Sequence, residues 1–260
     1  MLNRATLICC ITALILQRIP GDDCAEIIGG EEVLNHSKPF MALLEGNGIC
    51  GGALIYPKWV ITAAHCIDAS KTVRLGVHNR FAKDEKWEIR KVVKKVPHQC
   101  FDNITGMNDI MLLKLNKEVK PSKTISFLQM PKSSTDVKAG STCNVAGWGI
   151  TNNIKKTGSD VLRAVNVTVI DRMKCNSLDY YNFEPIITKD MLCAGTGSSK
   201  NSKRVDACKG DSGGPLLCNG EFRAITSFSH QCGLLKKPGI YTLLSKKYIE
   251  WIKKVTKSYL

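Results

Sequence analysis

The chain has 260 residues, 43% of them hydrophobic and 23% charged, and a formal net charge of +14. That length suits one large all-β or α/β domain, or two small ones, and the composition excludes wholesale disorder and a collagen-like repeat. No apolar run is long enough for a membrane-spanning helix.

Taken in chain order, Arg4 gives a positive start, Ala5–Leu16 is apolar, and Gly21-Asp22-Asp23-Cys24 turns polar. This reads as a secretory signal peptide over 1–24, cleaved after Cys24. The alternative is a buried apolar helix, against which Arg18 and the Pro20-Gly21 break argue. From there short β-rich runs recur between turn signals: Phe40–Glu45, Ala53–Ile55, Trp59–Thr62, Thr72–Leu75, Trp87–Val96 and Ile110–Leu115. They continue through Thr142–Ala146, Val165–Ile170, Leu216–Cys218, Ala224–Phe228 and Gly239–Thr242. Many short strands without alternating helices predict a sandwich or barrels. In Lys246–Val255, Tyr248, Ile249, Ile252 and Val255 fall at helical spacing with lysines between them, which predicts a C-terminal amphipathic helix.

Secretion permits disulfides. Of twelve cysteines, Cys9, Cys10 and Cys24 leave with the signal, and the remaining nine are an odd number. One thiol therefore stays free or pairs with another chain. Removing residues 1–26 takes away two arginines and three acids, raising the charge to +15. Solubility is one reading of that charge; attraction to sulfated glycans, acidic membranes or nucleic acid is another. Asn35, Asn103 and Asn166 each open an N-x-S/T sequon and are glycosylation candidates.

Two local signals carry chemistry: Thr62-Ala63-Ala64-His65-Cys66 and Gly210-Asp211-Ser212-Gly213-Gly214-Pro215. Glycines around a serine let backbone N–H groups converge on one point. A neutral serine needs a base within reach, and that base needs an acid to hold its tautomer. Asn108-Asp109-Ile110-Met111 puts a lone carboxylate at the mouth of an apolar strand, where it is costly unless partnered. His65 is its natural partner.

With Ile27-Ile28-Gly29-Gly30 and Gly147-Trp148-Gly149, these motifs stand in an order and spacing that resembles the chymotrypsin-like (trypsin-like) serine proteases, over nearly all of residues 27–260. The resemblance implies an all-β fold of two packed six-stranded antiparallel barrels with a C-terminal helix. It implies Ser212 as nucleophile, His65 as base and then acid, Asp109 as orienting carboxylate, the Gly210 and Ser212 amides as oxyanion hole, and Ser227 as support for Asp109. It also implies that a new amino terminus at Ile27 pairs with Asp211. Asp206, six residues before the serine, would form the base of the specificity pocket and select Arg or Lys, with Gly239 as its open wall. Ala207 stands where many relatives have serine and favours Arg over Lys. The run Ser227-Phe228-Ser229-His230-Gln231 departs from the usual pattern, and Ser229 and Gln231 in place of glycines narrow the rim.

The resemblance further implies the disulfides Cys50–Cys66, Cys143–Cys218, Cys175–Cys193 and Cys208–Cys232. That leaves Cys100 for an interchain bridge in a homodimer, or else as a free or capped thiol. The loop from Val77 to Trp87 lacks the end carboxylates of a calcium loop, so no metal or cofactor is expected. Within the family the chain resembles granzymes of the A and K types. Tyr180-Tyr181-Asn182-Phe183-Glu184-Pro185 is similar to the A type. Ile187-Thr188-Lys189-Asp190-Met191 and Lys237-Pro238-Gly239-Ile240-Tyr241 are similar to the K type. Cys100 favours A. Ala25-Glu26 then reads as an activation dipeptide removed by a dipeptidyl peptidase rather than by the enzyme itself. The implied function is a secreted granule endopeptidase of cytotoxic lymphocytes, stored on acidic proteoglycan and met by serine protease inhibitors. A non-lymphoid tryptase and an inactive basic binding protein are the competing readings.

Overall fold

The computed structural model describes residues 29–82, 86–150, 157–196, 205–230 and 232–258; of the thirteen strands they form, twelve build two antiparallel barrels. The expected signal peptide, the dipeptide Ala25-Glu26, Ile27 and Gln231 lie outside the described residues. The strands are β1 (Glu31–Glu32), β2 (Met41–Gly46), β3 (Gly48–Tyr56), β4 (Trp59–Thr62), β5 (Thr72–Leu75), β6 (Glu88–Pro97) and β7 (Met111–Leu115). They continue as β8 (Thr142–Gly147), β9 (Arg163–Ile170), β10 (Met191–Gly195), β11 (Pro215–Cys218), β12 (Glu221–Phe228) and β13 (Gly239–Leu243). Two α-helices accompany them, α1 (Arg172–Asn176) and α2 (Lys246–Lys257).

The first barrel closes in the order β2-β3-β4-β7-β6-β5. In the second, β8-β9-β10-β13-β12-β11 closes through the β8–β9 pairing. The far edge of β9 is shared: β10 pairs with its C-terminal half, and β1 with Ala164 and Arg163 near its start. Closure leaves few free edges, which is how short strands of this kind avoid pairing with other chains.

Apolar side chains of the first barrel form one cluster that also takes in Leu244, Tyr248 and Ile252. Helix α2 thus leaves the second barrel after β13 and buries its apolar stripe on the first. Full burial of a side chain such as Ile252 contributes about 1.5–3 kcal/mol, so the helix straps the two halves together. Four disulfides add cross-links: Cys50–Cys66, Cys143–Cys218, Cys175–Cys193 and Cys208–Cys232. These are the pairs that the resemblance implies.

The predicted strands and the terminal helix all form, with ends shifted by a few residues. Two strands and one α-helix were not expected. β1 is two exposed glutamates held by β9. β10, Met-Leu-Cys-Ala-Gly, lacks β-branched residues and becomes a strand because it is buried on both faces between β9 and β13. The short α1 starts where the Asp171 side chain accepts the Lys174 amide at 3.0 Å, an N-cap.

Candidate active site

β4 is buried on both faces and runs into a single 3₁₀ turn, Ala64–Ile67, which carries His65. The Cys50–Cys66 disulfide ties this turn to β3. Asp109 enters β7 from Asn108, which is left-handed at φ 58°, and is 2% exposed. Asp109 Oδ2 meets His65 Nδ1 at 2.7 Å and accepts the Ser227 hydroxyl at 2.5 Å. Its Oδ1 accepts the His65 amide at 3.0 Å, and its carbonyl accepts Thr242 Oγ1 at 2.9 Å. Burial alone would raise the Asp109 carboxyl. The hydrogen bond and charge of His65, then Ser227 and the His65 amide, outweigh it and hold the group below the ordinary carboxylate value. With Nδ1–H directed at a carboxylate, Nε2 is the basic nitrogen.

Ser212 comes from the second barrel, just before β11. Its carbonyl accepts the Gly51 amide of β3 at 2.8 Å, and Thr62 Oγ1 donates to the Gly51 carbonyl at 2.8 Å. Gly213, at φ 82°, sits so tightly that a Cβ there would strike Thr62 Oγ1 and the Gly51 carbonyl. The serine loop is thus pressed onto the strands that hold His65. Cys66 Sγ lies 3.7 Å from His65 Nε2 and 3.6 Å from the Ser212 carbonyl oxygen, so imidazole and serine flank one disulfide. Among the described residues no hydrogen bond joins Ser212 Oγ to His65; such contacts commonly tighten only when substrate is present. The amides of Asp211, Gly213 and Gly214 donate to backbone carbonyls, whereas those of Gly210 and Ser212 have no acceptor among the described residues. Two unused donors beside a serine are what an oxyanion requires.

Asp211 is fully buried. Its Oδ1 accepts the Gly149 amide at 2.8 Å and its Oδ2 the Cys208 amide at 2.9 Å. Burial pushes its carboxyl up to about 6 against those two hydrogen bonds. Gly147 and Gly149 are required here, since a Cβ on either would collide with the carboxylate.

Asp206 is 1% exposed. Oδ2 accepts the Gly233 amide at 3.0 Å, while Oδ1 has no hydrogen-bond partner among the described residues. Burial pushes this carboxyl up to about 7, opposed chiefly by the Gly233 amide. A Cβ on Gly239 would come within 2.9 Å of Asp206 Oδ1 and 3.2 Å of Tyr241 Oη, itself buried and without a hydrogen-bond partner among the described residues. Glycine at 239 therefore leaves beside the carboxylate a space that a side chain would crowd. Ala207 is buried beside it, and the Cys208–Cys232 disulfide closes the segment. At the rim, the Phe228 ring covers Gly106, and Ser229 Oγ lies 3.9 Å from Cys232 Sγ.

Cys100 is an exposed free thiol; its carbonyl accepts Asn108 Nδ2 at 2.7 Å. Asn35, Asn103 and Asn166 are all exposed, and Asn166 Oδ1 accepts Asn144 Nδ2 at 2.9 Å. Thr242, Gly51 and Gly233 join the site without having been picked out in the sequence, and Thr62 and Tyr241, which lie in quoted segments, join it in roles not read there. Each acts through a backbone contact or a buried hydroxyl that no local motif signals.

A family model for trypsin matches residues 27–252. The chain belongs to the trypsin family. It is a serine endopeptidase related to the granzymes. It is 44% identical to granzyme A of Bos taurus over 246 residues, 93% of each chain. It is 39% identical to granzyme M of Homo sapiens over 241 residues, 89% of each chain. It is 37% identical to kallikrein-4 of Homo sapiens over 239 residues, 90% of this chain and 89% of that one.

Proposed function

We propose that this trypsin-family enzyme is a granzyme A-like tryptase that cleaves proteins after Arg or Lys and contributes to lymphocyte cytotoxicity. The observation that carries the specificity is Asp206: a buried carboxylate beside Gly239 with one oxygen that no described residue partners. Such a group is costly until a cation meets it. A substrate guanidinium or ammonium entering past Gly239 supplies that charge.

In the proposed reaction Ser212 Oγ attacks the scissile carbonyl while His65 Nε2 takes its proton. Asp109 holds the resulting imidazolium, and the Gly210 and Ser212 amides receive the oxyanion. His65 then protonates the leaving amine, and water repeats the cycle on the acyl-enzyme. Signal removal after Cys24 and loss of Ala25-Glu26 to a dipeptidyl peptidase free Ile27, whose ammonium pairs with Asp211. The elevated Asp211 carboxyl fits a site that awaits a cation. The +15 charge of the processed chain suits storage on acidic proteoglycan in secretory granules. Cys100 bridges two copies, Asn35, Asn103 and Asn166 are accessible to glycosylation, and serine protease inhibitors act on the same cleft.

The test is cleavage-site mapping. The processed enzyme is incubated with a complex peptide mixture, and the new termini are read by mass spectrometry. Arg or Lys before the cut supports the reading; aromatic or aliphatic residues there contradict it.

A further inference from the structure

β1 begins four residues after Ile27 and pairs with β9 at only two positions. So short a pairing cannot by itself fix the segment. Two backbone contacts help: the Val33 amide donates to the Leu162 carbonyl at 3.1 Å, and Arg163 Nη2 reaches the Gly30 carbonyl at 3.4 Å. A third anchor is a side chain. Glu32 Oε1 lies 2.8 Å from Nε2 of His78, a 7%-exposed histidine between β5 and β6 that the proposed chemistry does not use.

His78 is held by the wall of the Asp211 socket. Its carbonyl accepts both Trp148 Nε1 at 3.0 Å and the Leu162 amide at 2.9 Å. The neighbouring Arg80 amide donates to the Asp160 carbonyl at 2.7 Å, and Asn79 bridges to Val161. Trp148 is 1% exposed and stands between Gly147 and Gly149, the two glycines against which Asp211 packs. Gly149 then donates to Asp211. Contacts thus run without a gap from Glu32 through His78, Trp148 and Gly149 to Asp211.

We propose that His78 is a positioning residue for activation: its bond to Glu32 docks the segment behind the new amino terminus onto the socket wall, and so sets the fraction of processed enzyme in which Ile27 is engaged. This rests on the reading that the Ile27 ammonium pairs with Asp211. His78 touches no reacting atom, so it changes how many molecules are active and not how fast an active one turns over.

The experiment uses the processed, disulfide-bonded enzyme starting at Ile27, as wild type, His78→Ala, His78→Gln, Glu32→Gln and Asp211→Asn. A serine-directed burst titrant counts active sites, and mass spectrometry follows carbamylation of the Ile27 amine by cyanate. Loss of a hydrogen bond to a carboxylate predicts about tenfold faster carbamylation for His78→Ala and a matching fall in titratable sites wherever the engaged state no longer dominates. Turnover per titrated site stays at the wild-type value. His78→Gln, which keeps a donor, recovers most of the protection, and Glu32→Gln falls between. Wild-type carbamylation in His78→Ala overturns the inference, as does a fall in turnover per titrated site. If His78→Ala does not fold, Glu32→Gln, on a half-exposed side chain, decides by the same two readouts. Asp211→Asn separates the two claims. Unchanged protection there sinks the underlying pairing, whereas lost protection there with none lost in His78→Ala sinks only the role of His78.

Discussion

The Ser227 hydroxyl donates to Asp109 Oδ2 at 2.5 Å, across the boundary between the two barrels. The same oxygen faces His65 Nδ1, so the second barrel helps to fix the carboxylate that orients a histidine of the first. Ser227→Ala removes one charge-assisted hydrogen bond and leaves the His65 contacts in place. The expected outcome is a fall in kcat of about tenfold with little change in KM, read by steady-state kinetics. Asp109→Asn misorients the imidazole and is expected to lower kcat by about 10⁴.

Asp206 gives a pH dependence with a definite sign. Its carboxyl is pushed up to about 7 by burial, and only its ionised form pairs with a cation. Benzamidine, a guanidinium mimic, is expected to weaken about tenfold per pH unit below that value and to level off above it. The stability of the free enzyme is expected to follow the opposite trend. A carboxyl raised above its unfolded value binds more protons folded than unfolded between the two, so its contribution to stability falls as pH rises towards about 7. Asp206→Asn should therefore melt higher than wild type at pH 8 without ligand, while losing about 10³ in kcat/KM on arginyl substrates. Calorimetric titration and thermal unfolding check both halves.

Gly213 tests how the serine loop is seated. At φ 82°, and with Thr62 Oγ1 and the Gly51 carbonyl where a Cβ would go, alanine cannot be taken up without moving the loop. Gly213→Ala is expected to lose at least about 2 kcal/mol of stability. Surviving folded protein should show kcat lowered by displacement of Ser212. Thermal unfolding alongside active-site titration separates the two effects.

Cys100 is an exposed thiol, whereas the other eight cysteines of the described chain are paired within it. If the proposed Cys100 bridge forms, protein made in an oxidising compartment should run as a dimer on a non-reducing gel and as a monomer after reduction. Cys100→Ala should be monomeric under both conditions with cleavage of small substrates unchanged.

Much of this was legible because strong local signals coincide with the chemistry. A glycine-rich turn around Ser212, a histidine after an apolar strand and an aspartate at the mouth of another are each visible in a few residues. The strand runs were legible wherever β-branched residues dominate, as in Trp59–Thr62 and Thr72–Leu75, where predicted and observed ends agree. Elements fixed by distant partners were not. β10 is a strand because two neighbours bury it, and Thr242 reaches Asp109 across a sequence separation of 133. The depth of Asp206, and its oxygen that no described residue partners, likewise arise from packing around Gly239, to which a sequence window is blind. The link from Glu32 to His78 spans 46 residues and two barrels, and neither residue belongs to a motif.

The most direct test of the central claim is hydrolysis of arginyl, lysyl and phenylalanyl thioesters by residues 27–260 with a free Ile27 terminus, with Ser212→Ala as blank. The expected result is cleavage of the arginyl and lysyl substrates that vanishes in the blank, and little of the phenylalanyl one. A folded, correctly processed enzyme that prefers the phenylalanyl thioester, or cleaves none of the three, would contradict it.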